Sequence, residues 1–406
     1  MSRENEIFFN LKIFVFYNSL DKLLKRNLFM DRRKILKSAM YGPLLYGLTK
    51  FDFFEANAND FSKQNIITGI CNETKANFID NIECFEKYMN YRHDVIQYFS
   101  MFDYRKDPDM VVPFFTTIPT TIWNSGKIPL ITWYPSTSNI EPTPKDICKK
   151  IYTGKFDNYL ERCCTAILNY LSNTTPNLNF GKPKILIRFA HEMNIHYRLY
   201  SNPSDFKKMW CYVFKFFRDR GLNKDRVLFI FSPNSIDLNT RPFEEYFPGD
   251  DFIDWNGVDG YNWGGKGDWV SFADIFEPAM KRIRKISKKP LSICEFGTTA
   301  KTDKGEDNIR KHNWIKDAFK WIEKQENLKK YNLKMAIYFN INKINDIDSG
   351  IYPDEICNVV NLNSNQINKM ERLKDIYFKN LGYSNFNRKL PENFFYEECE
   401  LESIAK

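Results

Sequence analysis

Two glutamates end apolar, β-rich runs about a hundred residues apart, and their chemistry sets the questions for the whole chain. Glu192 closes Lys184-Ile-Leu-Ile-Arg-Phe-Ala-His-Glu-Met-Asn194, and Glu295 closes Pro290-Leu-Ser-Ile-Cys-Glu-Phe-Gly297. Each carboxylate falls where a buried strand should stop and a loop begin, which in a parallel α/β barrel is the face that carries active sites. A facing pair of carboxyl groups suits glycosidic bond cleavage: one protonates the leaving oxygen while the other attacks or stabilises the sugar. A single glutamate after a strand is more often a solvated loop residue, so the reading depends on both.

Eight strands are expected in the frame that would hold them: Ile66–Ile70, Val95–Met101, Ile128–Trp133, Lys184–Ala190, Val227–Ser232, Gly257–Tyr261, Leu291–Glu295 and Lys334–Asn340. Several are continuously apolar, as strands covered on both faces must be. Between them, Phe78–Tyr91, Phe156–Ser172, Ser204–Arg220, Ser271–Ser287 and Asp307–Lys329 carry apolar residues at helical spacing. Asn202-Pro-Ser-Asp205 opens one helix and Gly221 follows its end. The connections after strands two, five and eight are less regular. Alternating β and α segments in this number predict an α/β fold, a (β/α)8 TIM barrel.

At 406 residues, 43% hydrophobic and 27% charged, the chain can bury a large core. Its net charge of +8 is modest, and residues 1–58 contribute half of it, with ten Lys/Arg against six Asp/Glu, so a nucleic-acid partner is not expected. The nine cysteines include the adjacent Cys163 and Cys164 but lack metal-ligand spacing, which implies neither a zinc site nor a disulfide framework.

Three domains of the sequence follow. Residues 1–58 form an N-terminal extension and export signal, 59–381 the catalytic barrel, and 382–406 an acidic, poorly patterned tail. Asp31-Arg-Arg-Lys-Ile-Leu-Lys37 resembles the twin-arginine pattern, a weakly apolar stretch follows, and Ala56-Asn-Ala58 offers a small-x-small cleavage site. Met30 directly precedes this signal, so residues 1–29 are readable as an upstream extension from a misassigned start. The stretch is too short and polar to span a bilayer. Export to the periplasm or medium, and action as a monomer, are the expectations.

The chain resembles glycoside hydrolase family 26, a branch of the clan A (β/α)8 hydrolases that includes β-mannanases, from roughly Ile66 to Asn340. Four stretches carry the resemblance: Arg188-Phe-Ala-His-Glu-Met-Asn194; Tyr246-Phe-Pro-Gly-Asp-Asp-Phe-Ile-Asp-Trp-Asn-Gly-Val-Asp-Gly-Tyr-Asn-Trp263; Glu295-Phe-Gly297; and Ile128-Pro-Leu-Ile-Thr-Trp133. Their order and spacing together are more specific than any one of them.

The resemblance implies a retaining β-glycanase acting on β-1,4-mannan-type polysaccharide, with Glu192 as acid/base and Glu295 as nucleophile, and with no cofactor or metal required. Glu192 would then need a raised pKa and Glu295 hydrogen-bond donors. Tyr261 is expected to supply one donor, His191 to contact substrate or orient the acid, and Asp259 to bind substrate or hold an arginine. Trp133, Trp263 and Tyr338, at the ends of strands three, six and eight, are expected to stack on sugar rings. Asn194 is expected to brace its loop, Arg188 to point to the opposite side from His191, and Cys294 to face away from Glu295, buried and inert.

After the His-Glu-Met-Asn element the chain reads Ile195-His-Tyr-Arg-Leu-Tyr200 rather than the Gly- and Trp-rich sequence of the mannanases. His196, Tyr197 and Tyr200 therefore offer a rebuilt subsite for another glycan. A β-1,3/1,4-glucanase or an exopolysaccharide-processing glycanase is the near alternative, and a non-catalytic glycan-binding barrel is the alternative of another class.

Overall fold

Eight parallel strands close on themselves in a computed structural model of the chain. It describes residues 66–341 apart from 73–77, 90–91, 103–111, 137–142, 178–179, 197–198, 239–240, 265–268 and 303–304. The export signal, Tyr197 and the acidic tail lie outside the described residues. The barrel strands are β1 (Ile67–Cys71), β2 (Val95–Met101), β3 (Ile128–Tyr134), β4 (Ile185–Phe189), β5 (Val227–Phe231), β6 (Trp255–Asn262), β7 (Leu291–Thr298) and β8 (Leu333–Phe339). Each pairs with its sequence neighbours, and β8 pairs with β1 to close the ring.

All eight expected strands are present within a few residues of their expected ends. The helices are α1 (Phe78–Met89), α2 (Val112–Phe115), α3 (Thr117–Asn124), α4 (Ile147–Tyr152), α5 (Asp157–Asn173), α6 (Pro203–Arg218), α7 (Phe272–Ile286), α8 (Asn308–Ile322) and α9 (Gln325–Tyr331). Asn202 caps α6, accepting from the Ser204 and Asp205 amides through its side chain, and Ser271 caps α7 through the Asp274 amide. One helix expected over Asp307–Lys329 is instead two, because Lys324 turns extended after α8. That turn lays Tyr331 on Trp321 at 5.8 Å, and Asn327 ties it down by donating to the Trp321 carbonyl at 2.8 Å. The irregular connection after β2 holds α2 and α3, and the one after β5 holds two 3-10 turns, Phe243–Tyr246 and Asp250–Phe252.

Strand alternation sorts side chains between the barrel interior and the layer under the helices. On β3 and β4 the register pairs Thr132 with Arg188 and Trp133 with Phe189. The first pair points inward and the second packs under the helices. No described helix is long and apolar enough to cross a membrane.

Candidate active site

A single buried arginine organises the floor of the barrel mouth. Arg188, fully buried on β4, donates to Thr132 Oγ1 at 2.9 Å, to Asp259 Oδ1 at 2.7 Å and to Glu295 Oε1. A charge in that position requires partners, since burying it unpaired would cost several kcal/mol. Burial works against the Arg188 charge, but Asp259 and Glu295 outweigh it and hold the guanidinium protonated.

Glu295 accepts from three side chains. Besides Arg188 these are Tyr261 through its hydroxyl and Gln97 Nε2 at 3.2 Å. Burial first, and then Glu295, push the Tyr261 phenol well above its ordinary range, so it remains a donor. Donors converging from β2, β4 and β6 on one oxygen pair complement a negative charge.

The sequence placed Glu295 at a strand end, but β7 continues through it to Thr298. Its aim comes from an irregularity in the ladder. On the β6 side Val258 faces Ile293 while the next residue, Asp259, faces Glu295, and on the β8 side Ala336 faces Ile293 while Tyr338 faces Phe296. Cys294 is the extra residue of a β-bulge, a device that re-aims a side chain beside active sites. The expectation that Cys294 faces away from Glu295 is therefore corrected. A Cβ on inward-facing Gly257 would lie 2.8 Å from Cys294 Sγ and 2.6 Å from Ser232 Oγ, so the thiol shares the barrel interior with Ser232, which donates to Asp259 at 3.1 Å. The thiol is buried as expected, and burial raises its pKa to about 12.

Glu192 lies beyond the end of β4, where the chain bends sharply. Ala190 and Glu192 adopt φ of 46° and 51°, the left-handed region that costs non-glycine residues about 1 kcal/mol or more each. The turn is held by Glu192 N–H donating to the Ser232 carbonyl at 2.7 Å and His196 N–H donating to the Glu192 carbonyl at 3.0 Å. Asn234 Nδ2 donates to Glu192 Oε1 at 2.7 Å, and His196 Nε2 lies 3.4 Å from Glu192 Oε2. Burial alone would raise the Glu192 pKa, but His196, Asn234 and Arg188 outweigh it and hold the carboxyl below its ordinary range. This overturns the expectation of a raised value, because the polar loops of β4 and β5 face the carboxylate.

The bend also breaks the alternation that was to set Arg188 and His191 on opposite sides. Both face Phe99, the guanidinium at 6.0 Å from its ring and His191 at 6.1 Å centroid to centroid. Tyr134 packs on His191 at 5.5 Å and on His196 at 5.2 Å, and against Tyr200 at 6.3 Å. Asn194 braces the loop as expected, its amide donating to the Asn234 and Ile236 carbonyls and to Asp237.

Three expected substrate contacts are corrected. Trp133 is 0% exposed and points outward from β3 into Phe102, Phe115, Phe189 and Phe217 at 4.6–5.7 Å, with its indole N–H on Tyr159. Tyr338 is likewise outward, edge-on to Phe296 at 5.2 Å, and its inward neighbour Phe339 meets Tyr261 at 5.5 Å and Phe99 at 6.4 Å. Asp259, 0% exposed, lies below the mouth holding Arg188, which was the alternative considered for it. Burial opposes the Asp259 charge, and the Arg188 guanidinium from which it accepts at 2.7 Å favours it. Trp263, just past the end of β6, is 36% exposed and lies 5.6 Å from the Tyr261 ring.

Gln97, Asn234 and the organising role of Arg188 were not anticipated. Only Arg188 left a sequence signal, as a charge inside an apolar strand run.

The glycosyl hydrolase family 26 model matches residues 123–336. Endoglucanase H of Acetivibrio thermocellus is 25% identical over 328 residues, covering 78% of this chain, while the chain spans about a third (32%) of that relative's length. Two solved structures share the fold. A modular endo-β-1,4-mannanase from Cellulomonas fimi aligns with a TM-score of 0.56 at 13% identity, covering 81% of this chain and 74% of the other. A family 26 β-mannanase from Bacteroides ovatus aligns with a TM-score of 0.53 at 14% identity, covering 78% and 88%.

Proposed function

Because the chain belongs to glycosyl hydrolase family 26, and so is a glycoside hydrolase by family, we propose that it cleaves a β-1,4-mannan-type polysaccharide with retention of anomeric configuration. Glu192 gives its proton to the leaving glycosidic oxygen while a Glu295 oxygen attacks the anomeric carbon, forming a glycosyl ester. Water then attacks that carbon, Glu192 takes the water's proton, and the ester bond breaks to regenerate the Glu295 carboxylate. The observation that carries this reading is the asymmetry of the two carboxylates. Three donors, one of them a guanidinium, converge on Glu295, whereas among the described residues the side chains at the Glu192 carboxylate are Asn234 and the partly exposed His196.

The free site favours ionised Glu192, so the acid must gain its proton as substrate arrives. A sugar that excludes water and parts Glu192 from His196 removes the foremost effect opposing burial, and burial favours the neutral acid. Tyr261 with Trp263, and the partly buried Phe99, supply apolar faces for sugar rings on one side of the mouth, while Tyr134 and the two histidines line the other.

Mannan is proposed because the two structural neighbours are named as mannanases. A β-glucan is the second reading, favoured by the likeness to Endoglucanase H and by the departure from the mannanase pattern at 195–200. Reducing-end release from mannan, mixed-linkage glucan and xylan, with the anomer of the first-formed sugar read by NMR, tests both. Release of the retained anomer from mannan, abolished in Glu295→Ala, is expected. Inverted product, or undiminished hydrolysis by that variant, would overturn the mechanism. Binding without turnover by the wild type would favour a glycan-binding barrel. Export by the twin-arginine-like segment and action as a monomer are proposed on the sequence alone.

A further inference from the structure

We propose that His191, Glu192 and His196 form a binding site for a zinc-class divalent cation at the mouth of the barrel. Occupation of the site would silence hydrolysis; this second half rests on Glu192 being the acid, whereas the binding itself does not.

Ligand atoms of the three residues all lie within 4.8 Å of one another. Zinc bonds of about 2.0–2.2 Å in tetrahedral geometry place neighbouring ligand atoms roughly 3.3–3.6 Å apart. The His196 Nε2 to Glu192 Oε2 separation, 3.4 Å, already has that value. The third ligand needs a closure of about an ångström, which rotation of the imidazole supplies.

The surroundings hold the donors in place. The hydrogen bonds of the 192–196 turn, from the amides of residues 195 and 196 to the Glu192 carbonyl at 3.1 and 3.0 Å, return His196 over Glu192. Tyr134 walls both imidazoles, and Phe99 backs His191. Asn234 occupies Glu192 Oε1 and leaves Oε2 facing His196, an outer partner of the kind that fixes a metal-bound carboxylate. Two imidazoles and one carboxylate with a position open to solvent suit zinc or its neighbours. Calcium and magnesium prefer all-oxygen sets. An ion bonded to Glu192 Oε2 excludes the proton that the leaving group needs. It binds to neutral imidazoles, so affinity falls as pH falls.

The test titrates chelator-stripped protein with zinc chloride by calorimetry. Wild type and Glu295→Gln are expected to bind one ion with equal affinity, since the second variant lacks turnover but keeps all three ligands. His196→Gln and His191→Gln, each checked for fold by circular dichroism, are expected to bind at least tenfold more weakly. Zinc is expected to inhibit wild-type hydrolysis and EDTA to restore it. Binding in the absence of any hydrolytic activity would sink the proposed function and leave the site standing. No uptake below millimolar zinc, or equal affinity in both histidine variants, would overturn the site. So would a thiolate-to-metal absorption band in the cobalt-loaded protein that is lost in Cys211→Ser, since Cys211 is the partly exposed thiol among the described residues.

Discussion

Alanine at Trp133 and, separately, at Trp263 should produce opposite failures, because one indole is core and the other is rim. Trp133 is 0% exposed and sits among four phenylalanines. An indole of about 200 Å² buried at about 25 cal/mol/Å² contributes roughly 5 kcal/mol, near the 3–5 kcal/mol found for large-to-small core changes. Loss of the indole N–H, 3.2 Å from the Tyr159 hydroxyl, adds about 1 kcal/mol. Against a total of about 5–15 kcal/mol, Trp133→Ala should lower the urea midpoint by a third or more, while Trp133→Phe keeps most of both stability and turnover. At Trp263, 36% exposed, stability should move by less than about 1 kcal/mol. One indole face against a sugar covers about 100 Å², or roughly 2.5 kcal/mol, so kcat/KM should fall by about ten- to a hundredfold. Urea denaturation and polysaccharide kinetics on the same preparations decide it. A Trp133→Ala protein of wild-type stability with weakened substrate binding, or a Trp263→Ala protein with unchanged kcat/KM, would refute the assignment of inside and rim.

In His196→Gln, a charge that holds the Glu192 pKa down is lost, so the alkaline limb of the kcat/KM profile should move to higher pH; an unmoved limb would show that His196 does not govern the acid. Asp94, buried and accepting from the Thr68 amide at 3.2 Å, has its pKa raised by burial from 3.8 to about 8. Its contribution to stability is full below its unfolded value near 3.8 and fades as pH rises toward 8. Asp94→Asn should therefore gain on the wild type between about pH 5 and pH 8 in urea midpoints, and parallel curves would contradict this. Gly257→Ala should cost about 1–3 kcal/mol and reduce turnover, because the new methyl meets Ser232 Oγ at 2.6 Å and Ser232 supports Asp259. Full activity in that variant would mean the interior under Arg188 is looser than its geometry.

The strands were legible because a barrel strand covered on both faces must be apolar, and Ile128–Tyr134 or Val227–Phe231 can hardly be anything else. The two glutamates were singled out because each lies in a stretch resembling a family element, whereas a carboxylate after an apolar run is by itself usually a solvated loop residue. The sides on which residues fall were a different matter. Alternation counted from Glu295 put Cys294 outside, and the same counting put Arg188 and His191 on opposite sides. A bulge in β7 and left-handed backbone at Ala190 and Glu192 cancelled both counts. Neither irregularity has a residue signature, since no glycine marks either place.

The number and order of the strands follow from local pattern alone. Pattern is local because period-two burial and helical spacing are properties of a few consecutive residues. Which aromatic rings meet sugar, why Arg188 is tolerated, and that Asn234 and Gln97 reach the carboxylates depend on contacts between residues 42 and 198 positions apart. Those are decided by register and twist around the closed sheet, a property of all eight strands together.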